Sequence, residues 1–362
     1  MKSIGVLQEP NKDLRVSLLP QAVDELVRLK NQVWVEQGLG HGIGLTDQDY
    51  AQKGAKVVTR SQALKQADII TTINLPNGLI PDLLDKSILG VYNPLYFKDD
   101  LLKFSNNTRI YSLDLLPRTT LAQNMDVLSS MASLSGYKAV LFAANYVSKP
   151  LPMFTTAAGT LRPAKVLVLG AGVAGLQAIA TAKRLGAEVE AFDVRSSAEE
   201  EVKSLGANFI KVEGSEESKN SGGYAVEQSI NFQRTQRLLI HEHCRSADIV
   251  ISTANIPGKK APVLISESTV KKMQAGSVIV DLASEQGGNC ELSQNNKIQT
   301  HYGVTVIGNS HFSRAIPKAA SQLLSTNFIN FLKLWLNDPG NQLIKSTLAK
   351  NNQEKIPVSP LN

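Results

Sequence analysis

Three glycines at the end of an apolar run are the residues of this chain whose spacing points most clearly to chemistry. The run ends at Leu169, and Gly170, Gly172 and Gly175 follow it as G-x-G-x-x-G. In a dinucleotide-binding turn the first glycine permits a tight reversal and the second lets a pyrophosphate approach the backbone, while the third lets the next helix pack on the strand. The N–H groups at the N-terminus of that helix attract the phosphates. The spacing therefore predicts dinucleotide binding at the start of a helix.

An aspartate completes this pattern. Asp193 ends the next apolar run, 18 residues after Gly175, where a carboxylate can accept hydrogen bonds from ribose hydroxyls. A carboxylate there repels a 2′-phosphate, which favours NAD over NADP. Arg195 leaves the alternative open, because an arginine near the strand end can hold that phosphate. The same arginine could instead pair with Glu199, one helical turn further on.

The stretch from residue 117 to residue 130, PRTTLAQNMDVLSS, holds a second group of candidates. Its polar members are Arg118, Gln123, Asp126 and Ser129. Positions 123, 126 and 129 recur every three residues, which predicts one shared helical face. The residues alone equally allow a plain helix start, with Pro117 in the first turn, Thr119 or Thr120 as the cap, and a solvated polar stripe.

Strands and helices alternate on both sides of the glycine turn. Before it, strands are expected at 2–7, 32–36, 56–59 and 68–73, and helices at 19–30, 47–53, 62–66 and 125–147. After it, strands are expected at 188–192, 207–212, 248–252, 277–281 and 304–307, and an apolar helix at 319–336. This alternation predicts an α/β fold with two Rossmann-like, doubly wound parallel-sheet domains.

The expected domains are a discontinuous first α/β domain, 1–126 plus 312–362, and a dinucleotide-binding Rossmann domain, 127–311. The last apolar helix is expected to return to the first domain. Residues 149–163 are predicted to be an irregular connector, and residues 213–224 a mobile loop because they are polar and rich in glycine. The tail from residue 337 is expected to be loosely held.

Composition excludes several classes of protein. The 362 residues are 43% hydrophobic and 19% charged, which is typical of a soluble protein of two domains. No uninterrupted apolar run reaches 18 residues, so no membrane-spanning helix is expected. The net charge of +6 is scattered rather than clustered, which argues against nucleic acid. The two cysteines indicate a reducing compartment, and no set of His, Cys and carboxylate residues predicts a metal site.

Long segments of the chain resemble the NAD(H)-binding domain I of proton-translocating NAD(P) transhydrogenases. The likeness extends from about Gly5 to Leu336. The segments that carry it are PRTTLAQNMDVLSS, TTAAGTLRPAKVLVLGAGVAGLQAIATAKRLGAEVEAFDVR, GGYA, ADIVISTANIPGKKAPVLI and GSVIVDLASEQGGN.

The resemblance implies an enzyme subunit that transfers hydride, with AB stereospecificity, between its own NAD(H) and NADP(H) on a partner subunit. It also implies a homodimer and a transmembrane proton-channel subunit on another chain. The protein would then be cytoplasmic and peripheral on the inner face of the cytoplasmic membrane. No proton is exchanged at a nicotinamide ring during hydride transfer, so such a site needs orientation rather than an acid or base.

The resemblance also assigns roles to individual residues. It implies that Arg118, Gln123, Asp126 and Ser129 surround the nicotinamide ring. It implies that Tyr224, in a mobile loop, folds over the bound NAD(H). The implied cofactor contacts are Gly170, Gly172, Val173, Ala174, Gly175, Asp193, Val194, Arg195, Tyr224, Ala225, Thr253 and Ala254.

Two other functions remain open. An alanine dehydrogenase shares the fold but needs an acid/base group beside cationic residues. The lysine of that family would fall within 72–76 and its histidine within 91–97, and neither segment contains the required residue. Arg15 is present, and Glu285 stands where that family has an aspartate. The other alternative is a non-catalytic NAD-binding regulator.

Overall fold

The computed structural model describes residues 1–76, 83, 85–104, 107–212 and 230–350. The chain divides into two compact units: Met1–Met131 together with the segment that begins at Ile316, and Ala132–Ala315. Tyr224 and Ala225 lie outside the described residues, so the contacts expected of them stay predictions.

Strands and helices alternate through most of the described chain. The strands are β1 (Ser3–Val6), β2 (Gln32–Glu36), β3 (Lys56–Val58), β4 (Ile69–Thr71), β5 (Ser87–Gly90), β6 (Arg109–Ser112), β7 (Phe154–Thr156), β8 (Gly159–Leu161), β9 (Lys165–Leu169), β10 (Glu188–Phe192), β11 (Asn208–Ile210), β12 (Ile249–Ser252), β13 (Val278–Asp281), β14 (Lys297–His301), β15 (Val304–Gly308) and β16 (Leu348–Lys350). The helices are α1 (Pro20–Arg28), α2 (Asp47–Ala51), α3 (Arg60–Gln66), α4 (Lys98–Leu102), α5 (Val127–Ala144), α6 (Val173–Arg184), α7 (Ala198–Ser204), α8 (Ile230–Ser246), α9 (Glu267–Val270), α10 (Pro317–Asn337) and α11 (Gln342–Ser346).

The first unit is built on a seven-stranded sheet with the order β16-β6-β5-β4-β1-β2-β3. Its strands are parallel except β16, which pairs antiparallel with β6. The short helices begin where the sequence supplies caps: Thr46 and Asp49 form a capping box for α2, and Thr59 and Gln62 form one for α3. Helix α10 packs in the core of this unit, where the Ser321 and Ser325 hydroxyls accept the N–H groups of Val16 and Leu19.

The second unit is built on another seven-stranded sheet, with the order β11-β10-β9-β12-β13-β15-β14. Its strands are parallel except β14, which pairs antiparallel with β15. The strands β9, β12 and β13 are almost entirely buried, as expected of a parallel sheet covered on both faces. The prediction of an α/β fold with two doubly wound parallel sheets is therefore confirmed.

Helix α5 has the length and apolar composition of a membrane span, and it alone does so among the described helices. One third of this helix is buried, and its polar groups have partners within the protein. The hydroxyl of Ser130 donates to Asn327, and that of Ser133 donates to Gln177. Because core helices of soluble proteins pass the same test of length and composition, this helix is weak evidence for a membrane span.

Two expectations about irregular segments are wrong. Residues 149–163 include an antiparallel hairpin of β7 and β8, whose side chains are all exposed. The tail is ordered at least as far as residue 350, because α11 follows residue 341 and β16 then pairs with β6. Neither short strand shows the alternating apolar pattern that identifies a half-buried strand in a sequence.

Candidate functional site

The glycine turn joins β9 to α6, and each of its glycines meets a different steric requirement. Gly170 has φ +97°, a left-handed conformation that side chains rarely adopt. Gly175 lies so close to the strand end that a Cβ there would be 1.8 Å from the Gly170 carbonyl oxygen. The third glycine therefore permits the close packing of helix on strand that its spacing predicts.

Gly172 faces open space and begins the helix. It is the N-cap residue of α6, and a Cβ on it would meet nothing within 4 Å. No side chain caps α6, whose first residues are Val173 and Ala174. The N-terminal turn of a helix carries N–H groups without an intrahelical partner and a partial positive charge. This open, uncapped end fits the pyrophosphate of a dinucleotide.

Asp193 lies directly after β10, beside the glycine turn. Its carboxylate accepts the Ala171 N–H at 2.7 Å and the Arg195 N–H at 2.9 Å. The Arg195 guanidinium also pairs with it, with Nε 2.9 Å from Oδ1. Glu199 pairs with Lys203 at 2.7 Å. The acid expected to contact ribose is therefore already held by an arginine, whose charge offsets part of the repulsion towards a 2′-phosphate.

The residues expected on the other side of the turn follow β12. The Thr253 hydroxyl donates to the Gly170 carbonyl oxygen at 3.0 Å, which ties the end of β12 to the glycine turn. Ala254 comes next and is half-buried. Val194, by contrast, packs on the hydrophobic cluster beneath the neighbouring strand β10.

Asn289 and Asp281 belong to this edge of the sheet, and the sequence patterns assigned neither of them a role. The Asn289 amide binds both backbone polar atoms of Ala254, and its own N–H donates to Asp281 at 2.8 Å. Burial raises the pKa of the Asp281 carboxyl, against the lowering effect of hydrogen bonds from Cys290 and Ala283. The signal in the sequence is the glycine pair at 287–288, which marks a sharp turn after a buried strand.

The candidates within 117–130 lie in the first unit and do not share one helical face. Residues 120–125 form a 3₁₀ helix, and Asp126 is extended, with ψ +92°. Its carboxylate accepts the Ser129 N–H at 2.9 Å and the Ser129 hydroxyl at 2.6 Å, as an N-cap does at the start of α5. Arg118 and Gln123 are exposed. The expectation of one continuous helix from the Thr119 or Thr120 cap is wrong, because Asp126 starts a new one.

The other titratable residues of the second unit are engaged in pairs. His311 Nε2 lies 3.0 Å from Glu285 Oε1, and this hydrogen bond lowers the pKa of the Glu285 carboxyl. His241 contacts the Thr269 hydroxyl, and His243 contacts Glu190. Within the described parts of the chain, no group of three or more His, Cys, Asp and Glu side chains could hold a metal ion.

Comparisons with known proteins agree with this geometry. The alanine dehydrogenase/PNT N-terminal domain matches residues 5–135, and the C-terminal domain of the same family matches residues 139–353. The chain is 42% identical over 336 residues to an NAD(P) transhydrogenase subunit alpha chain of Rhodospirillum rubrum, covering 90% of this chain and 87% of that protein.

A solved structure and a more distant relative complete the comparison. The crystal structure of transhydrogenase from Sinorhizobium meliloti superimposes with a TM-score of 0.86 at 36% identity, over 98% of this chain and 99% of that one. The alanine dehydrogenase of Methanococcus maripaludis is 27% identical over 328 residues, covering 88% of this chain and 82% of that protein. The chain belongs to the alanine dehydrogenase/PNT family, among the NAD(P) transhydrogenase alpha subunits.

Proposed function

We propose that this chain is the NAD(H)-binding subunit of a proton-translocating NAD(P) transhydrogenase. Its hydride partner is NADP(H) on a separate NADP(H)-binding subunit, and a transmembrane proton-channel subunit couples the transfer to proton movement. The observation that carries the proposal is the open, uncapped N-terminus of α6 at Gly172, with Asp193 on the adjacent strand. The 42% identity to a transhydrogenase alpha subunit supports the same reaction.

The residues around the glycine turn fit NAD(H). The N-terminal turn of α6 would hold the pyrophosphate, and the residues after β10 and β12 would hold the two ribose ends. Tyr224 and Ala225 remain expected contacts that lie outside the described residues. The proposed contacts within the described chain are Gly170, Gly172, Val173, Ala174, Gly175, Asp193, Val194, Arg195, Thr253 and Ala254.

The chemistry asks the protein for positioning. Bound NADH supplies the hydride, and no proton enters or leaves the ring. We assign the positioning of the nicotinamide ring to Arg118, Gln123, Asp126 and Ser129. Arg118 and Gln123 are exposed and therefore accessible to a ligand. Asp126 and Ser129 hold each other at the start of α5, which fixes the segment that carries the other two.

The surface of the second unit supports a homodimer. The β7–β8 hairpin exposes Met153 by 64%, Phe154 by 49% and Leu161 by 58%. Apolar side chains grouped on an exposed hairpin are typical of an association surface, because monomers rarely leave them in water. We propose that a second copy of the chain covers this hairpin. The NADP(H)-binding and membrane subunits would hold the dimer at the inner face of the cytoplasmic membrane.

Reconstitution tests the proposed reaction. The purified chain, mixed with the NADP(H)-binding subunit of a transhydrogenase, should transfer hydride from NADH to an NADP⁺ analogue in stopped-flow absorbance. Without that subunit it should bind NADH and transfer nothing. Pyruvate amination by the chain alone would identify an alanine dehydrogenase instead. NADH binding with no transfer in the mixture would identify a regulator.

The positioning cluster gives the sharper measurement. Gln123→Asn should slow the transfer step by about 100-fold, because a misplacement of about 1 Å costs this much in rate. NADH affinity should change little, since the glycine turn and Asp193 carry most of the binding. The matched control is Asn124→Ala, which changes an exposed neighbour. Arg118→Ala should behave like Gln123→Asn, and wild-type rates in both would refute the assignment.

A further inference from the structure

Asn289 uses every polar atom it has to join three segments of the second unit. Its Oδ1 accepts the Ala254 N–H at 3.0 Å, and its Nδ2 donates to the carbonyl oxygens of Ala254 and Pro262, both at 2.8 Å. Its backbone carbonyl accepts the N–H groups of Leu264 and Ile265. The residue is fully buried. One side chain thus fixes both ends of the segment 254–262.

The turn before Asn289 explains how the side chain reaches that segment. Gly287 and Gly288 both have positive φ, +100° and +79°, so the chain reverses within two residues after the 3₁₀ turn at 284–286. Asp281, at the end of β13, then accepts the N–H groups of Asn289 and Cys290 at 2.8 and 3.0 Å. The brace is therefore anchored on a central strand of the sheet.

The braced segment lies on one definite side of the glycine turn. In the second sheet β9 has β10 on one side and β12 on the other. A doubly wound sheet binds a dinucleotide across its carboxyl edge at this reversal of strand order, with one half on each side. Asp193 follows β10, the side expected to hold the adenosine ribose. Ala254 follows β12, and it is therefore on the side of the nicotinamide half.

Asn289 also determines what Ala254 offers to a ligand. Both backbone polar atoms of Ala254 are engaged by the Asn289 amide, so this residue presents a fixed surface and not a hydrogen-bonding backbone. Thr253, its neighbour, is tied to Gly170. The end of β12 is thus held from both directions before any ligand arrives. Such preorganisation lowers the entropic cost of binding.

We propose that Asn289 is a positioning residue for the nicotinamide half of the bound dinucleotide, acting through Ala254 and the segment 254–262. This inference rests on the proposed function and makes a narrower claim. The adenosine half, held by Asp193 on the other side of the turn, should not depend on Asn289. A residue that served only the fold would affect both halves alike.

The test compares two ligands in calorimetric titrations of the full chain. NADH carries both halves, and 5′-AMP carries the adenosine half alone. Asn289→Ala should weaken NADH at least tenfold and leave AMP within about twofold of wild type. Asn31→Ala is the matched control, because Asn31 is also buried and binds three backbone groups, at Lys2, Leu26 and Leu29 of the first unit. It should change neither affinity.

Asn289→Asp provides a second variant of the same shape. It keeps the acceptor for the Ala254 N–H and loses both donors, so it should show the same difference between the two ligands. Equal weakening of NADH and AMP, or no change in either, would overturn the role of Asn289. So would two variants that fail to fold while Asn31→Ala folds. A wild-type chain that does not bind NADH would overturn the proposed function as well.

Discussion

The two units contain the same sheet, but only the second has an edge suited to a phosphate. The central strand is β1 in one and β9 in the other, followed on one side by β2–β3 or β10–β11 and on the other by β4–β5–β6 or β12–β13–β15. Each sheet also ends in an antiparallel strand, β16 or β14. Strand order alone therefore cannot decide which edge binds a nucleotide.

Even the acid at the end of the second strand is shared. In the first unit Glu36 accepts the Gln8 N–H at 2.8 Å, and its arginine partner is Arg60. In the second unit Asp193 accepts the N–H of the residue after Gly170 at 2.7 Å, and its arginine partner is Arg195. The acid and its arginine thus act as a brace between two strands in both sheets, with or without a glycine turn.

The difference lies in the residues that come directly after the central strand. The second unit has its glycine turn there, with open space at Gly172. The first unit has Glu9, whose carboxylate accepts the N–H groups of Ile73 at 2.6 Å and Asn74 at 2.8 Å. The backbone donors that an anion would need are engaged by the protein's own carboxylate. An empty glycine site, and not the topology, makes the second edge receptive to phosphate.

The first edge still has a cavity, of about 330 Å³, and its lining is charged. Arg15 and Asp13 form a buried ion pair at 2.6 Å, with 6% and 3% of their side chains exposed. The Asn74 amide donates to both Glu9 and Asp13 at 3.0 Å. Asn74 lies in the segment 72–76, where an alanine dehydrogenase would have its lysine. Its amide is engaged by two acids, which supports the transhydrogenase assignment over that alternative.

The largest effect we expect is steric and separates the glycines of the second edge. Gly175→Ala places a methyl group against the Gly170 carbonyl oxygen, and it should lower the free energy of unfolding by about 3 kcal/mol. Gly172→Ala meets open space and should leave stability near wild type while weakening NADH about tenfold. Urea denaturation and calorimetry measure the two effects. Equal stability of the two variants would show that the close approach at Gly175 is not required.

The features that the sequence predicted well are those fixed by local geometry. The glycine spacing, the end of α6 at Gly186, with φ +85°, and the acid after β10 all follow from a few neighbouring residues. The strand at Gln32–Glu36 was predicted at the bounds that the structure gives it. Alternation of strands and helices then sufficed for the fold class, because parallel strands require crossover connections.

Features fixed by distant contacts were missed. Asn289 gains its role from Ala254 and Pro262, which are 35 and 27 residues away in the chain. The strand β16 exists because β6 offers it an edge. Asp126 begins a new helix, although the polar spacing around it fits a continuous one. No pattern within a few residues encodes such pairings, since each depends on where the rest of the chain lies.

The second effect in size is electrostatic and belongs to the first edge. Burial raises the pKa of Glu9 to about 7 from an ordinary value of 4.5, against the lowering effect of the hydrogen bonds from Asn74 and Ile73. Between these pH values the folded chain holds a proton that the unfolded chain has released, so stability should fall as pH rises towards 7. The total loss is up to about 3 kcal/mol.

Urea denaturation between pH 5 and pH 8 measures this loss. Glu9→Gln cannot titrate and should flatten the decline, although it exchanges a hydrogen-bond acceptor for a donor and lowers stability at every pH. Glu25→Gln, which changes an exposed acid of the same unit, should keep the wild-type slope. An unchanged slope in Glu9→Gln would assign the decline to another group.

The smallest effect tests whether the shared acid is only a brace. Wild-type chain should bind NADH well and NADPH poorly, because Asp193 repels a 2′-phosphate. Asp193→Ala removes that repulsion and releases Arg195, so the preference for NADH should narrow by about tenfold, or about 1.4 kcal/mol. Glu36→Ala removes the matching acid of the first unit, which also binds a backbone N–H and an arginine.

The two variants should therefore lose similar stability and differ in nucleotide binding alone. Calorimetric titration of each with NADH and NADPH, beside melting curves, separates the two properties. If both variants keep the wild-type preference, Asp193 braces the strands of the second sheet as Glu36 braces those of the first, and discrimination lies elsewhere. If only Asp193→Ala shifts it, the brace became a selector once glycines opened the edge beside it. Without an anion site next to it, the same carboxylate in the first unit has no phosphate to reject.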